Sequence, residues 1–466
     1  VKIRPVEYIK NPPPAKITLE EWTEQFELVP DEEIARYTYY HNPDWGRYLF
    51  PPAIFMVYGA RELKRLKLDN SFAALRMWGF VFNETERLFR AGQVDKKVIA
   101  TMGDLGIVPI IALAFPNCVP FYPECIWWTP FFRESTEMLD FATKLGIPEA
   151  ACFSRACLSA FHKRAYFPRP DLVIASTGAS CDDYSCVMQQ VEDLGYEPLW
   201  IEIPLRREPQ KYLTQDRYDK ANYPRRFEDY LIAEYKTVWN RMTALTGINN
   251  LNRLKDSIAK TNRLRGLVQE IKDIALNAEI PPLPALELMV IEFGNLYGYA
   301  DLDEWISIVE MILETVRQRA LGQVGVLDRN AVPIAWVTPS ADPYLLNLVE
   351  DLGGRVVATE YVINQALVPV EENIDPFRAL ARAFMKSSLN GSTTERIKRI
   401  KEMAGSGQIK GVIITNMLGA SHCAMETRLI EKELQSVPVL AIDVPAPFGI
   451  TEQIRTRIEA FLEMIE

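Results

Sequence analysis

Cys152-Phe-Ser-Arg155, Asp171-Leu-Val-Ile-Ala175, Ser176-Thr-Gly-Ala-Ser-Cys181-Asp-Asp-Tyr-Ser-Cys186 and Pro198-Leu-Trp-Ile-Glu-Ile-Pro204 follow one another in a single stretch, 152–204. The apolar run 171–175 reads as a buried strand. The small residues after it read as a turn, the next run as a helix, and 198–204 as a second strand. A cysteine in such a turn sits at the carboxyl end of a parallel strand and at the N-terminus of the following helix. Open α/β sheets bind ligands there, and the helix dipole favours the thiolate over the thiol. Metal ligation is the leading use of such cysteines; burial as small hydrophobic side chains is the alternative.

The α/β pattern extends in both directions. Val98–Met102 and Val108–Phe115 are predicted strands, and Glu137–Leu145 a helix ending at Gly146. A second block holds predicted strands at Pro333–Pro339, Arg355–Thr359, Gly411–Thr415 and Val437–Asp443, with helices at Pro343–Leu352 and Glu452–Ile465. In Met417-Leu-Gly-Ala-Ser-His422-Cys423, Cys423 fills the turn that Cys181 fills in the first block. Between the blocks, Phe227–Thr246, Leu251–Asn277, Leu283–Tyr297 and Leu302–Gly322 read as helices whose charged runs are solvated faces. Ahead of both, Ala53 to Arg90 reads as two helices, an arm packing on a neighbour. The expectation is an α/β protein with two doubly wound parallel-sheet domains, an N-terminal helical arm and a helical insertion. The boundaries are arm 1–95, first α/β domain 96–224, insertion 225–330 and second α/β domain 331–466.

A chain of 466 residues is long enough for two or three domains. Its net charge of −10 excludes a general nucleic-acid binder, which needs a basic face. An anionic small ligand is still allowed, because a few local Arg and Lys suffice for one phosphate. Val1-Lys-Ile-Arg-Pro-Val-Glu-Tyr lacks a secretory pattern. The most apolar stretch, 108–132, carries Pro109, Pro116, Pro120, Pro123 and Pro130, which a membrane helix would hardly accommodate. A cytoplasmic protein without a membrane span is expected. Its seven cysteines are too few and too scattered for a disulfide scaffold, so metal binding or catalysis is favoured.

No phosphate-cradling P-loop is present, and Gly405-Ser-Gly407-Gln-Ile-Lys-Gly411 precedes a strand and reads as a turn. The chain therefore shows no recognisable ATP or NAD site of its own. His41, His162 and His422 form no local cluster, which argues against a zinc protease. The cysteine spacings match neither zinc-ribbon nor ferredoxin patterns. A metal cluster would have to be assembled from distant turns that meet in the fold.

Cys152-x-x-Arg155, the strand and turn ending in Cys181-Asp-Asp, the late Cys423 and the closing Gln453-Ile-Arg-Thr456-Arg457-Ile458-Glu459 together resemble one family. It is that of the 2-hydroxyacyl-CoA dehydratases and class I benzoyl-CoA reductases, and the likeness covers residues 96–466. The resemblance implies a [4Fe-4S] cluster between two α/β domains, held by Cys152, Cys181 and Cys423. It implies an acyl-CoA substrate whose thioester carbonyl takes up one low-potential electron to give a ketyl radical anion. In the dehydratases the ketyl expels the neighbouring hydroxyl; in the reductases an aryl ketyl is protonated and reduced again. Cys181-Asp-Asp-Tyr-Ser, with Leu199–Pro204 downstream, looks more like the ATP-dependent aryl-CoA reductase branch. An (R)-2-hydroxyacyl-CoA dehydratase subunit is the runner-up. A double-cubane-cluster reductase, with Cys118, Cys125, Cys157 and Cys186 as further candidates, stays open, as does a non-catalytic cluster-holding partner subunit. The implied partners are a homologous second cluster-binding subunit and a separate ATP-hydrolysing iron–sulfur activator. The segment Phe121–Phe132 offers either an apolar wall for the site or core packing. His422, beside Cys423, is a candidate proton donor, or a group that hydrogen-bonds a cluster sulfur or the backbone.

Overall fold

The computed structural model describes residues 8–37, 49, 52, 63–104, 106–123, 137–149, 151–152, 155–178, 181–206, 223–337, 343–361, 364, 367–387, 390–405, 408–417, 426–435, 437–444 and 451–466. Two short strands, β1 (Lys16–Thr18) and β2 (Lys67–Asp69), pair antiparallel with Lys16 opposite Asp69. The other strands among the described residues are parallel and fall into two sheets. The first contains β3 (Lys97–Met102), β4 (Cys118–Phe121), β5 (Leu172–Gly178) and β6 (Leu199–Ile203), in the order β4-β3-β5-β6. The second contains β7 (Val332–Val337), β8 (Gly354–Glu360), β9 (Gly411–Met417) and β10 (Val439–Val444), in the order β10-β9-β7-β8.

Both sheets follow one plan. The chain lays down a strand, adds the next on one side, then crosses over to place the third and fourth on the other. That crossing leaves a crevice at the carboxyl ends of β3 and β5, and again at those of β7 and β9. The strands carry continuous apolar runs because both faces of each sheet are covered. In β5, Leu172 and Ile174 enter one core while Val173 and Ala175 enter another. In β9, Ile413 enters the first of these cores, and Val412 and Ile414 a third.

One continuous core joins the inner faces of both sheets to the helices Arg225–Thr246, Leu251–Asn277, Ala285–Tyr297 and Leu302–Leu321. The charged runs of these helices are solvated only in part. Glu228, Arg265, Lys272, Glu287 and Glu292 are buried, and Lys272 pairs with Glu292 at 3.1 Å. Helix Leu251–Asn277 grips both sheets. Arg253 Nε donates to Ala114 O (3.0 Å) and Arg265 Nη2 to Gly106 O (2.9 Å) on one side. On the other, Arg265 Nη1 donates to Val368 O, and Asn262 exchanges two hydrogen bonds with the Val370 backbone (2.7 and 2.9 Å).

The N-terminal part packs on its own chain, with Trp22, Leu68 and Trp78 in the shared core and Lys16 bound to Glu350 at 2.8 Å. Its described helices include Phe72–Phe82 and Glu84–Gln93; residues 53–62 lie outside the described residues. One predicted strand is a helix instead: Val108–Phe115 forms Val108–Leu113. Pro109 occupies its first turn, where the missing amide costs nothing. Asp104 Oδ2 starts the turn by accepting from the amides of Ile107 (3.0 Å) and Val108. The strand follows as β4, at the sheet edge, where Pro120 is tolerated. Among the described residues no helix is long and apolar enough to cross a membrane.

Candidate functional site

β5 ends at Gly178, whose φ of +101° belongs to glycine and whose absent Cβ would lie 2.3 Å from Ile203 O of β6. Cys181 is the N-cap residue of helix Asp182–Asp193. Ser176 Oγ donates to Met102 O (3.0 Å), tying the carboxyl ends of β5 and β3 together. Ser185 Oγ lies 3.2 Å from Ser176 O and 3.3 Å from Cys181 O, fastening the turn to its helix.

Cys152 lies just before helix Arg155–Lys163, within electrostatic reach of Cys181. The fold thus places these two thiols, from separate elements, within electrostatic reach of each other. Both are half-buried and in no disulfide. Arg155 is buried and holds the approach to Cys152, its guanidinium donating to Ala151 O and, at 3.5 Å, to Cys152 O. Burial pushes the Cys181 thiol up to about 12. The charges of Cys152 and Asp183 act in the same direction, while the amides of Tyr184 and Asp183 oppose it. Desolvation thus works against the thiolate that the helix dipole favours.

The remaining candidates separate clearly. Cys423 and His422, between β9 and helix Thr427–Glu433, lie outside the described residues, as do Cys125 and His41. Cys118 pairs with Lys97 at the amino end of the first sheet, opposite to the edge that carries Cys181. Cys157 is buried and its thiol donates to Pro123 O at 3.1 Å. Cys186 is exposed on helix Asp182–Asp193. His162 packs against Phe141, ring centres 5.1 Å apart. Of the aromatic segment, Phe121 packs on Phe167 and Tyr122 Oη accepts from the Gly106 amide (2.6 Å), so these two serve the core. Among the described residues no three His, Cys, Asp or Glu side chains converge as a metal site.

Two features escape a reading of the sequence. Asp104, in the loop after β3, is buried, which raises its carboxyl to about 6 against its hydrogen bonds. The signal for it was Gly103-Asp-Leu-Gly106 directly after a strand. The second is a group of arginines, Arg206, Arg396 and Arg399, that the segment after β6 and the helix before β9 bring within electrostatic reach of one another. Only the i, i+3 spacing of the last two is visible in the sequence.

The family model described as 2-hydroxyglutaryl-CoA dehydratase, D-component, matches residues 106–465 and so spans Cys152, Cys181 and Cys423. The chain is also 25% identical over 223 residues to the provisionally named dehydratase subunit YjiM of Escherichia coli (strain K12). That match covers 46% of this chain and 57% of the relative's length.

Proposed function

Because the chain belongs to the 2-hydroxyglutaryl-CoA dehydratase D-component family, we propose that it is a subunit of a 2-hydroxyacyl-CoA dehydratase-type enzyme. The observation that supports this most directly is that Cys152 and Cys181, from separate elements, lie within electrostatic reach of each other near the carboxyl edge of a doubly wound sheet. Two half-buried thiols from separate elements, neither in a disulfide, fit the soft sulfur donors that an iron–sulfur cluster requires. With Cys423 they would hold a [4Fe-4S] cluster. When bound, such a cluster supplies a low-potential electron to the thioester.

The chain's own residues prepare that place. Arg155 fastens the carbonyls of Ala151 and Cys152, so the first thiol is presented on a fixed loop. Gly178 and Ser185 fix the turn that carries the second. Burial around Cys181 limits the access of water to a developing charge. The lack of a P-loop motif points to a separate ATP-hydrolysing partner, and the family's name for a component points to a second subunit.

Anaerobic reconstitution tests the reading. The chain should take up about four irons, and Cys152→Ala and Cys181→Ala should each lose most of them. Combined with a second subunit, activator and ATP, it should convert an (R)-2-hydroxyacyl-CoA to the enoyl-CoA. An iron-replete Cys181→Ala chain would reject the assignment. Cys181-Asp-Asp-Tyr-Ser favours a second reading, an aryl-CoA reductase subunit; benzoyl-CoA consumption without dehydration of any 2-hydroxyacyl-CoA would select it.

A further inference from the structure

Arg206, in the segment after β6, and Arg399, on the helix that leads into β9, lie within electrostatic reach of each other. Arg206 follows β6. Its amide donates to Asn390 O (2.8 Å) and its guanidinium to Ser387 O (3.2 Å) and Glu395 (2.9 Å). Arg399 lies on helix Thr393–Ala404, which leads into β9, so the helix begins at the carboxyl-edge level of the second sheet. Arg396, one turn before it, takes both Glu360 at the end of β8 (2.8 Å) and Glu426. The three carboxylates of this group are thus engaged by Arg206 and Arg396.

Among the described residues, Arg399 Nε and Nη2 are buried without a hydrogen-bond partner, and so is Arg206 Nε. Two guanidinium groups in electrostatic reach of one another therefore carry three buried nitrogen donors that meet no acceptor among the described residues. Leaving charged donors unmet in the interior is unfavourable, and like charges in reach of each other add to that. Burial holds Arg399 below the usual arginine range, and Arg206 and Arg396 push the same way against Glu395 and Glu360. Nε and Nη2 lie on one edge of the guanidinium plane, the edge that can grip two oxygens of a single phosphate.

We propose that Arg399, together with Arg206, forms a cradle for a phosphate-class oxyanion between the segment after β6 and the helix that leads into β9. The cradle stands on these donors alone. Its carrier, the phosphate of coenzyme A, rests on the acyl-CoA reading above. Glu395 sits one turn before Arg399 and limits the charge the cradle tolerates, so neutralising it should tighten binding.

Calorimetric titration of the full chain with inorganic pyrophosphate and with coenzyme A, at fixed ionic strength, tests this. Arg399→Gln should weaken pyrophosphate binding about tenfold or more, the loss of one charge-assisted fork. Glu395→Gln should strengthen it severalfold, an effect that a merely structural role for this group would not produce. Equal affinity in wild type and Arg399→Gln, or no pyrophosphate binding by wild type at millimolar concentration, overturns the cradle. Coenzyme A that binds more tightly than pyrophosphate, and loses that gain in Arg399→Gln, supports the carrier. If it binds no more tightly, the cradle stands and the acyl-CoA assignment is what fails.

Discussion

Gly178 meets two demands at once, a backbone angle that side chains avoid and a β6 carbonyl where a Cβ would sit. Gly178→Ala should cost about 1–3 kcal/mol in urea unfolding and lower the iron retained by the chain, because the turn to Cys181 must shift. The glycine was readable as a turn residue; its contact with Ile203 was not, since it arises from strand pairing. The cysteines divide in the same way. The place of Cys181 at the start of a helix after an apolar run was legible, whereas nothing local told that Cys157, five residues beyond Cys152, would be interior. The fold makes that separation: Cys157 is interior and bound to Pro123 O. Cys157→Ala should therefore keep the iron and lose about 1 kcal/mol from the missing hydrogen bond and the small void. An iron-free but folded Cys157→Ala chain would contradict that division.

Among the elements, long helices were read closely, because their caps and periodicity are local. Leu251–Asn277 begins after Asn250, whose side chain accepts from the Asn252 amide, and Glu452–Ile465 after Thr451, which caps Ile454. Val108–Phe115 misled because a short buried apolar run has no period to reveal, and the deciding contact came from Asp104. The charged positions misled for a related reason: burial depends on what packs on the helix. Lys272 and Glu292 face each other from neighbouring helices, and each reaches Thr359 of β8. Lys272→Ala should destabilise by about 3–5 kcal/mol, because it leaves the Glu292 carboxylate buried and unpaired. Lys272→Met combined with Glu292→Gln should recover most of that in chemical denaturation. A double variant as unstable as the single one would show that the pair's charge is not the cause.

Across the whole molecule, several interior carboxyls make stability depend on pH. Burial raises Glu287 to about 8, with Asp69 adding to it, and raises Asp301 to about 6, as it does Asp104. For groups raised in the fold, the stabilising contribution is full below the unfolded value and is lost as pH rises through the folded one. Glu287 Oε1 accepts from Trp78 Nε1 (3.1 Å) and the Asp69 amide (3.0 Å), bonds that an amide oxygen can also accept. Glu287→Gln should thus gain on wild type by about 1.4 kcal/mol per pH unit from pH 4.5 to about 8 and level off beyond. Parallel stability curves for the two proteins would refute this. At this scale the sequence revealed two repeated α/β blocks with a cysteine after corresponding strands. It could not reveal Arg206 beside Arg399, since that proximity exists only once both sheets are assembled.

The shared core sets an order of events during synthesis. The inner face of the first sheet, with Ile99, Leu172 and Ile174, is covered by helices that follow β6 in the chain and end at Leu321. At a ribosomal rate of about 5–20 residues per second, that cover arrives roughly 6–24 s after β6 has been made. Throughout that interval the nascent chain presents an apolar sheet face to water or to a chaperone. A fragment ending at residue 224 should accordingly be recovered as aggregate or bound to a chaperone, whereas one extended to residue 330 should gain solubility.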